Sequence, residues 1–506
     1  MAFFNKLSRL FQMQYLNIHC KRWHIQYKLR EFYALKTIWK EKFSNILTES
    51  NNIPKETWET MRNIMLSNNK CESTVDTLIF LLFKEENCMK AAKNYYEFLE
   101  ANNYNIPVSA LQRYLTLYAS SKIILTNEEK VHISSVCKKI MDQHKHLPAV
   151  VASTVINSLC KVDELDKAIM VLKEFESYDS KILIKAYPSL IVSILANGNL
   201  TMAQEYLDRA LQEGTAPNCK IYDAYLRFCL RDRNTFNENI EKLFLLWRKY
   251  GTKPLKRSII KYMEACNELG WSVKFMTKSD SLCNNCHQIV EETELSEEEY
   301  KRLHEAIAQN VVTNNAYRTS DPQELNAFIR FIKYRRYDYV IDGLNVMCSV
   351  TPSPQHFASL LRALKKEGKK VLVIGRHHIQ KTIMNRDLQD TADYFYVNDL
   401  SNDDAFVLHA TFLSGNGTNI ISQDLMRQHK FTFSSIELEV LFKRWQMVHQ
   451  YTVRKNTNIL EKLHTHTYID SYVVKKNNCW HIPCVKTSQA LKPQACDTWV
   501  CFKMSN

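Results

Sequence analysis

Tyr337-Asp-Tyr-Val-Ile341, running into Asp342-Gly-Leu-Asn345, decides the reading of the second half of the chain: a short apolar strand ends on a carboxylate, a glycine and a turn-forming asparagine. The pattern then repeats. Pro354–Lys366 has helical periodicity, Lys370–Ile374 is a second apolar strand, Gln380–Leu388 is helical and Tyr394–Val397 is a third strand. Ser401-Asn-Asp403-Asp404 opens a helix over Ala405–Leu413, and the strand Asn419–Ile421 leads into Ser422-Gln-Asp424. Strands alternating with helices predict a parallel sheet in a layered α/β fold.

Four carboxylates fall where such a sheet gathers them. Asp342 and Asp424 follow strands, while Asp403 and Asp404 stand in the first turn of a helix, so all four are expected at the carboxyl edge, where open α/β sheets bind their ligands. Negative charges brought together repel unless a cation lies between them, and hard Mg²⁺ or Mn²⁺ suits carboxylate oxygens. Such an ion can polarise a phosphate and activate water. Taken singly, each aspartate also suits a turn or a helix N-terminus; the four junctions together argue for a site. Asn345 either orients a carboxylate or shapes its turn, and Arg376, His377 and His378 at the same edge either meet phosphate or face solvent. The sequence has no Gly-rich phosphate loop and no nucleophile elbow around Ser or Cys.

Upstream lies a joint. Cys283-Asn-Asn-Cys286 is half of a tetrahedral metal site and needs two further soft or borderline ligands. The far end of the chain offers Cys479, His481, Cys484, Cys496 and Cys501, and spacing does not choose among them. Unrelated buried thiols are the alternative. Ser296 with Glu299 makes a capping box for a helix running through Leu303 to Val311, and Asp321-Pro322 starts another.

From about Cys71 to Trp271 the periodicity is helical and repeats. Ser158–Ala168 aligns with Ser193–Ala203 at a spacing of 35, and Gly214-Thr-Ala-Pro217 with Gly251-Thr-Lys-Pro254 at a spacing of 37. That period means stacked helix pairs, a solenoid whose concave face suits an extended ligand. The 506 residues suffice for several domains, and 9 Gly and 11 Pro exclude collagen-like and linker-dominated readings. Lys and Arg number 67 against 54 Asp and Glu, a net charge of +13 that favours a polyanionic partner. Residues 1–50 carry +6 of it; Lys6, Arg9, Lys21, Arg22, Lys28 and Arg30 precede the first acid, with Phe3, Phe4, Leu7, Leu10 and Phe11 between them. An acid-free basic amphipathic start reads as a mitochondrial targeting segment, with a basic helix on RNA as the rival. No membrane span is expected: Ala186–Gln204 lacks charge but holds Pro188, Asn197, Gly198 and Asn199 and reads as buried helix plus turn.

These stretches resemble a family. Pro217-Asn-Cys-Lys-Ile-Tyr222 resembles the start of a pentatricopeptide repeat, whose concave face binds RNA. Tyr337–Val346, Val373-Ile-Gly-Arg376, Asn402-Asp403-Asp404-Ala-Phe-Val-Leu and Gln423-Asp424-Leu-Met-Arg427 resemble the NYN (PIN-like) metallonuclease domain of protein-only RNase P, and Trp480-His481-Ile-Pro with Trp499-Val-Cys501 is similar to that family's C-terminal motifs. The resemblance, closest to animal mitochondrial members, implies removal of the 5′ leader from mitochondrial precursor tRNA, leaving a 5′-phosphate. It implies that Asp342, Asp403, Asp404 and Asp424 hold catalytic Mg²⁺ or Mn²⁺, and that Cys283, Cys286, His481 and Cys501 hold structural Zn²⁺, with Cys484 and Cys496 as further thiols that leave the fourth ligand open. It implies a tRNA methyltransferase subunit and a short-chain dehydrogenase subunit as partners, and the mitochondrial matrix as location. The expected architecture is α followed by α/β: a targeting and basic segment over 1–50, a pentatricopeptide-repeat solenoid over 71–271, a zinc-binding joint from 272–300 with 470–506, and the NYN metallonuclease over 301–469. A non-catalytic RNA-binding protein with a degenerate nuclease domain, and a metal-dependent nuclease or phosphatase acting elsewhere, are the competing functions.

Overall fold

Helical periodicity in the first half becomes antiparallel helix pairs in the computed structural model. It describes residues 37, 41, 53–68, 72–121, 123–179, 183–214, 219–277, 282–290, 294–309, 322–349, 354–378, 380, 388–398, 403–424, 433, 435–453, 460–462, 472–486 and 498–504. The basic residues of the expected targeting segment, Cys71, Cys496 and all but the ends of the expected Gln380–Leu388 helix lie outside the described residues. The chain divides into two units, 1–197 and 198–506. Among the described residues no helix is long and apolar enough to cross a membrane.

In the first unit the helices are α1 (Lys55–Asn68), α2 (Glu72–Glu85), α3 (Met89–Ala101), α4 (Val108–Ser120), α5 (Asn127–Gln143), α6 (Ala149–Lys161), α7 (Leu165–Tyr178) and α8 (Tyr187–Ala196). Alternate helices pack in a row, α2 on α4, α4 on α6 and α6 on α8, as a solenoid requires. Helix α1 precedes the position 71 at which the repeats are expected to start, and it is held by more than apolar burial. Buried Asp76 accepts from Tyr95 Oη (2.6 Å) and from Arg62 Nε (3.2 Å), so α1, α2 and α3 meet at one satisfied charge. The α8 segment is the buried helix expected from its charge-free sequence, with Leu190, Ile191 and Ile194 fully buried.

The second unit continues with α9 (Leu200–Gln212), α10 (Cys219–Cys229), α11 (Phe236–Lys249) and α12 (Lys256–Glu268), and then changes character. Strand β1 (Ser272–Thr277) pairs antiparallel with β10 (Thr498–Lys503), which pairs with β9 (Cys479–Cys484), which pairs with β8 (Val474–Lys476). One face of this sheet lies on α11: Trp480 and Phe502 pack on Phe244, and Trp480 Nε1 donates to Glu241 Oε1 (2.8 Å).

The α/β part has a six-stranded sheet in the order β4-β3-β2-β5-β6-β7, from β2 (Tyr339–Asp342), β3 (Val371–Arg376), β4 (Asp393–Val397), β5 (Asn419–Ile421), β6 (Gln450–Val453) and β7 (Leu460–Lys462). It is parallel apart from β7. On one face lie α13 (Glu297–Ile307), α14 (Pro322–Ile332), α17 (Asp403–Ser414) and α18 (Ile436–His449); on the other lie α15 (Gly343–Ser349) and α16 (Pro354–Lys366). Both inner faces of a parallel sheet are covered, which is why Val340, Ile341, Leu372, Val373, Ile420 and Ile421 form unbroken apolar runs.

Helix α18 joins this core to the turns of the helical stack. Its Glu437 meets Lys249 (3.7 Å) and Arg302, and its fully buried Arg444 forks onto Glu299 (2.7 and 3.3 Å). Glu299 also closes the α13 capping box, accepting from Ser296 N while Ser296 Oγ accepts from Glu299 N. Burial works against the Glu299 carboxylate, but Arg444 outweighs it and holds the group below the usual carboxylate range. Its contribution is therefore present above the unfolded-state value and fades as acid protonates it. Arg444→Met should cost about 3 kcal/mol of stability at neutral pH by denaturant titration, and the difference from wild type should shrink below roughly pH 4; a gap unchanged by acid would contradict this account.

Candidate functional site

Two sets of polar side chains stand out from the apolar scaffold. The first is gathered by strand register. His481 pairs opposite Cys501 in the β9–β10 ladder, which puts both side chains on the face of the sheet away from α11. Cys283 and Cys286 come from a short knuckle: Leu282 bridges Ile289, Cys283 N donates to Gln288 O (2.9 Å), His287 N donates to Cys283 O (2.9 Å), and His287 takes φ +58° to turn the chain. The ligating atoms of Cys283, Cys286, His481 and Cys501 all lie within 4.8 Å of one another, and Cys286 Sγ is 3.2 Å from His481 Nε2. A tetrahedron with bonds of about 2.3 Å has edges near 3.8 Å, so a slight contraction closes this set around one ion. Three thiols and an imidazole, all buried except half-buried Cys286, are the donor chemistry of a structural site for a soft or borderline metal.

The surroundings favour the ligating protonation states. Burial, then the charge of Lys476, push the His481 imidazole down to about 4, so it is neutral at physiological pH. Burial raises the Cys283 thiol, but the backbone N–H groups of Cys286 and Asn285 overcome this and bring it below its ordinary value. Buried Asn285 fixes the knuckle to the sheet: its Nδ2 donates to Ser272 O (2.8 Å) and lies 3.5 Å from Cys501 Sγ, and its Oδ1 accepts from Ser272 Oγ (2.8 Å). Of the remaining thiols, Cys484 has the opposite strand parity and turns its Sγ toward Thr498 O (3.5 Å). Cys479 shares the donors' face, two residues before His481. Asn285, inside the Cys-x-x-Cys, could have been singled out from sequence, because a buried thiolate knuckle needs amide donors.

The second set lies along the carboxyl edge of the parallel sheet. Asp342 ends β2 and is buried; its Oδ1 accepts from Asn345 N (3.0 Å) and its Oδ2 from Ser422 Oγ (3.1 Å). Asn345 Oδ1 in turn accepts from Gln423 N (2.6 Å), so this asparagine orients the site and does more than shape a turn. Asp424 N donates to Ser422 Oγ (3.1 Å), and buried Gln450 Nε2 donates to both Ser422 O (3.0 Å) and Asp424 O (2.7 Å). Ser422 and Gln450 thus fix the exit of β5 beside Asp342. Ser422 was visible as the first residue after a strand, whereas no sequence signal marks Gln450. Asp403 and half-buried Asp404 occupy the first turn of α17, which follows β4 and packs on β2, β3 and β5. Arg376 ends β3 at this edge, with His377 exposed just beyond. Among the described residues, the Cys/His set alone brings three or more possible ligands within metal distance; Asp342, Asp404 and Asp424 share an edge. Hard carboxylate oxygens fit a hard divalent cation there.

Residues 277–501 match the family model of protein-only RNase P. All eight side chains singled out above fall inside that span. Over 455 residues the chain is 26% identical to the mitochondrial ribonuclease P catalytic subunit of Rattus norvegicus, covering 85% of this chain and 75% of the relative; the Mus musculus protein of the same name is 25% identical over 427 residues, covering 79% and 70%. In fold the chain is similar to the crystal structure of nuclear proteinaceous RNase P 2 from A. thaliana, with a TM-score of 0.60 at 16% identity over 86% of this chain and all of that one. The parity of β9 gives a direct check. Cys501→Ser should release bound metal, measured by elemental analysis of the purified chain, whereas Cys484→Ser should keep its full content; equal loss from both would reject the four-donor assignment.

Proposed function

We propose that this chain is an endoribonuclease that removes the 5′ leader from mitochondrial precursor tRNA. One observation carries the reading: the span matching protein-only RNase P begins before Cys283 and ends on Cys501, and so encloses both candidate metal sets. The relatives named mitochondrial ribonuclease P catalytic subunit support the substrate class and the mitochondrial location, with the matrix as the compartment where such precursors are made.

Asp342, Asp403, Asp404 and Asp424 are the residues that would hold Mg²⁺ or Mn²⁺, which supplies charge neutralisation at the phosphate and a more acidic water. In the reaction a water oxygen bonds to phosphorus as the bond to the leader's 3′-oxygen breaks, and the mature tRNA keeps the 5′-phosphate. The protein contributes placement. Ser422 and the Asn345 backbone hold the two Asp342 oxygens, and Gln450 holds the turn bearing Asp424, so these carboxylates do not have to reorganise when substrate arrives. Cys283, Cys286, His481 and Cys501 are the proposed ligands of a structural Zn²⁺, with no chemical part. The helical pairs, read as pentatricopeptide repeats, would grip the tRNA body by shape and backbone, because duplex RNA offers little base readout. A tRNA methyltransferase subunit and a short-chain dehydrogenase subunit are the proposed partners. The domain limits proposed are 1–50 for targeting, repeats up to 271, the zinc joint from 272–300 with 470–506, and the nuclease between.

Precursor tRNA incubated with the purified chain and Mg²⁺, with and without those two partners, should yield a single cut at the leader junction. Asp404→Asn should lower that rate by at least about 100-fold with substrate binding unchanged. Scattered cuts, or an Asp404→Asn variant as active as wild type, would sink the proposal.

A further inference from the structure

The parallel sheet carries opposite charge at its two ends. Its carboxyl edge gathers aspartates; its amino edge gathers bases. The loops entering β2 and β3 run side by side there, because Asp338 N donates to Lys370 O (2.8 Å) and Lys370 N donates to Asp338 Oδ2 (2.7 Å). The first loop exposes Lys333, Arg335 and Arg336, and the second exposes Lys365, Lys366, Lys369 and Lys370. The carboxylates around them are Asp338, Glu367, Asp390 and Asp393, so cations prevail. Arg335 is held over the Phe331 ring (4.0 Å to the centroid) and 3.5 Å from Asp393.

Lysines at the end of a helix have an ordinary explanation, complementing its carbonyl end, and this accounts for Lys365 and Lys366. It does not account for Tyr334. This side chain stands 84% exposed between Lys333 and Arg335, with the Lys333 ammonium 5.2 Å from its ring centre. A large aromatic left in water adds nothing to the core, and a ring flanked by cations is what an unpaired nucleotide requires: a face for the base and charges for the phosphates on either side.

We propose that this amino edge is a second RNA-contact surface, which takes unpaired nucleotides of the substrate's 5′ leader, one base stacking on Tyr334 while Lys333, Arg336 and Lys369 meet its phosphates. The inference rests on the nuclease reading. A duplex keeps its bases stacked inside and offers Tyr334 nothing, so the ligand is single-stranded. Strand β3 has six residues, which sets the two edges about 20 Å apart. The nucleotide bound here is therefore an outlying one, on the arm that leads away from the cut.

The full chain with its partners is to be tested by binding and cleavage of precursors bearing leaders of about 3 or about 15 nucleotides. Wild type should bind the long-leader substrate more tightly. Tyr334→Ala should weaken binding of the long leader about fivefold or more with the short leader unaffected. The combined Lys333→Ala, Arg336→Ala and Lys369→Ala variant should remove the preference and flatten the salt dependence of long-leader binding by about 2 to 3 in log–log slope. All four residues are exposed, so thermal unfolding of the variants should match wild type. Equal losses for both leaders, an unchanged salt slope, or a preference that follows a 3′ extension would overturn the proposal, as would variants that keep the leader preference and lose only an acidic protein partner. Cleavage of the short-leader substrate reads the nuclease function separately: if wild type fails there, the function is wrong, and if only the leader preference is missing, the surface is.

Discussion

The second unit depends on a pairing between distant segments. Strand β1 leaves the helical stack at Ser272, and its partner β10 arrives at Thr498, after the whole α/β part has been threaded between them. Closing so long a loop costs entropy, though only logarithmically in its length. Six residue pairs in continuous register, the burial of Trp480 and Phe502 against Phe244, and four convergent metal-type donors offset that cost at one place. Two of these contributions, the aromatic burial and the donors, use one strand pair, β9 with β10. Odd positions on this pair face the knuckle and even positions face the helices, so a register slip by one would lose the donors and the aromatic core together.

The same economy holds at the carboxyl edge. Asp342 is buried at a strand end, a costly position for a charge unless its oxygens are satisfied. A serine hydroxyl from the neighbouring strand and a backbone N–H from its own turn satisfy them, and both belong to groups that also fix Asp424 or Gln423. Gln450 completes the arrangement from β6, and Gln446 of α18 donates to Gln450 Oε1 (2.8 Å), so the helix that docks on the repeats also reaches the acidic edge through side-chain amides. The order of that edge is a property of three adjacent strands and one helix.

The legible parts of the fold were those whose chemistry is periodic. Strands β2 to β5 announced themselves because a doubly covered sheet makes uninterrupted apolar runs, and the positions of Asp342 and Asp424 because they follow two of those runs. The capping box at Ser296 was equally plain, since its two hydrogen bonds fix residue types three apart. Helix α18 was not legible. Its inward face carries Lys443, Arg444, Gln446 and His449, all buried, which erases the apolar stripe a sequence reading needs. Those polar residues are tolerable only because partners meet them, Glu299 from far away in sequence and Gln450 from the strand that follows the helix. The choice among the C-terminal thiols was closed to spacing for a related reason: Cys484 and Cys501 differ in strand parity, which only the register reveals.

The helical repeats show how one backbone requirement can acquire a second role. Asp163 and Gly198, 35 residues apart, both take left-handed φ (+66° and +85°) at the turn between paired helices, as do Gly214 and Gly251 (+74° and +60°) 37 residues apart. The conformation, more than the side chain, is what repeats: aspartate tolerates it at a cost that glycine avoids. Gly198 has open space where a Cβ would stand, so turn geometry is its whole explanation. At Gly251 a Cβ would come within 3.0 Å of Val440 Cγ2 on α18 and 3.1 Å of the Tyr472 ring. There the missing side chain also lets helix α18 approach the turn, with Lys249 close by to meet Glu437. This turn position is therefore also part of the seam that holds the helices against the α/β core.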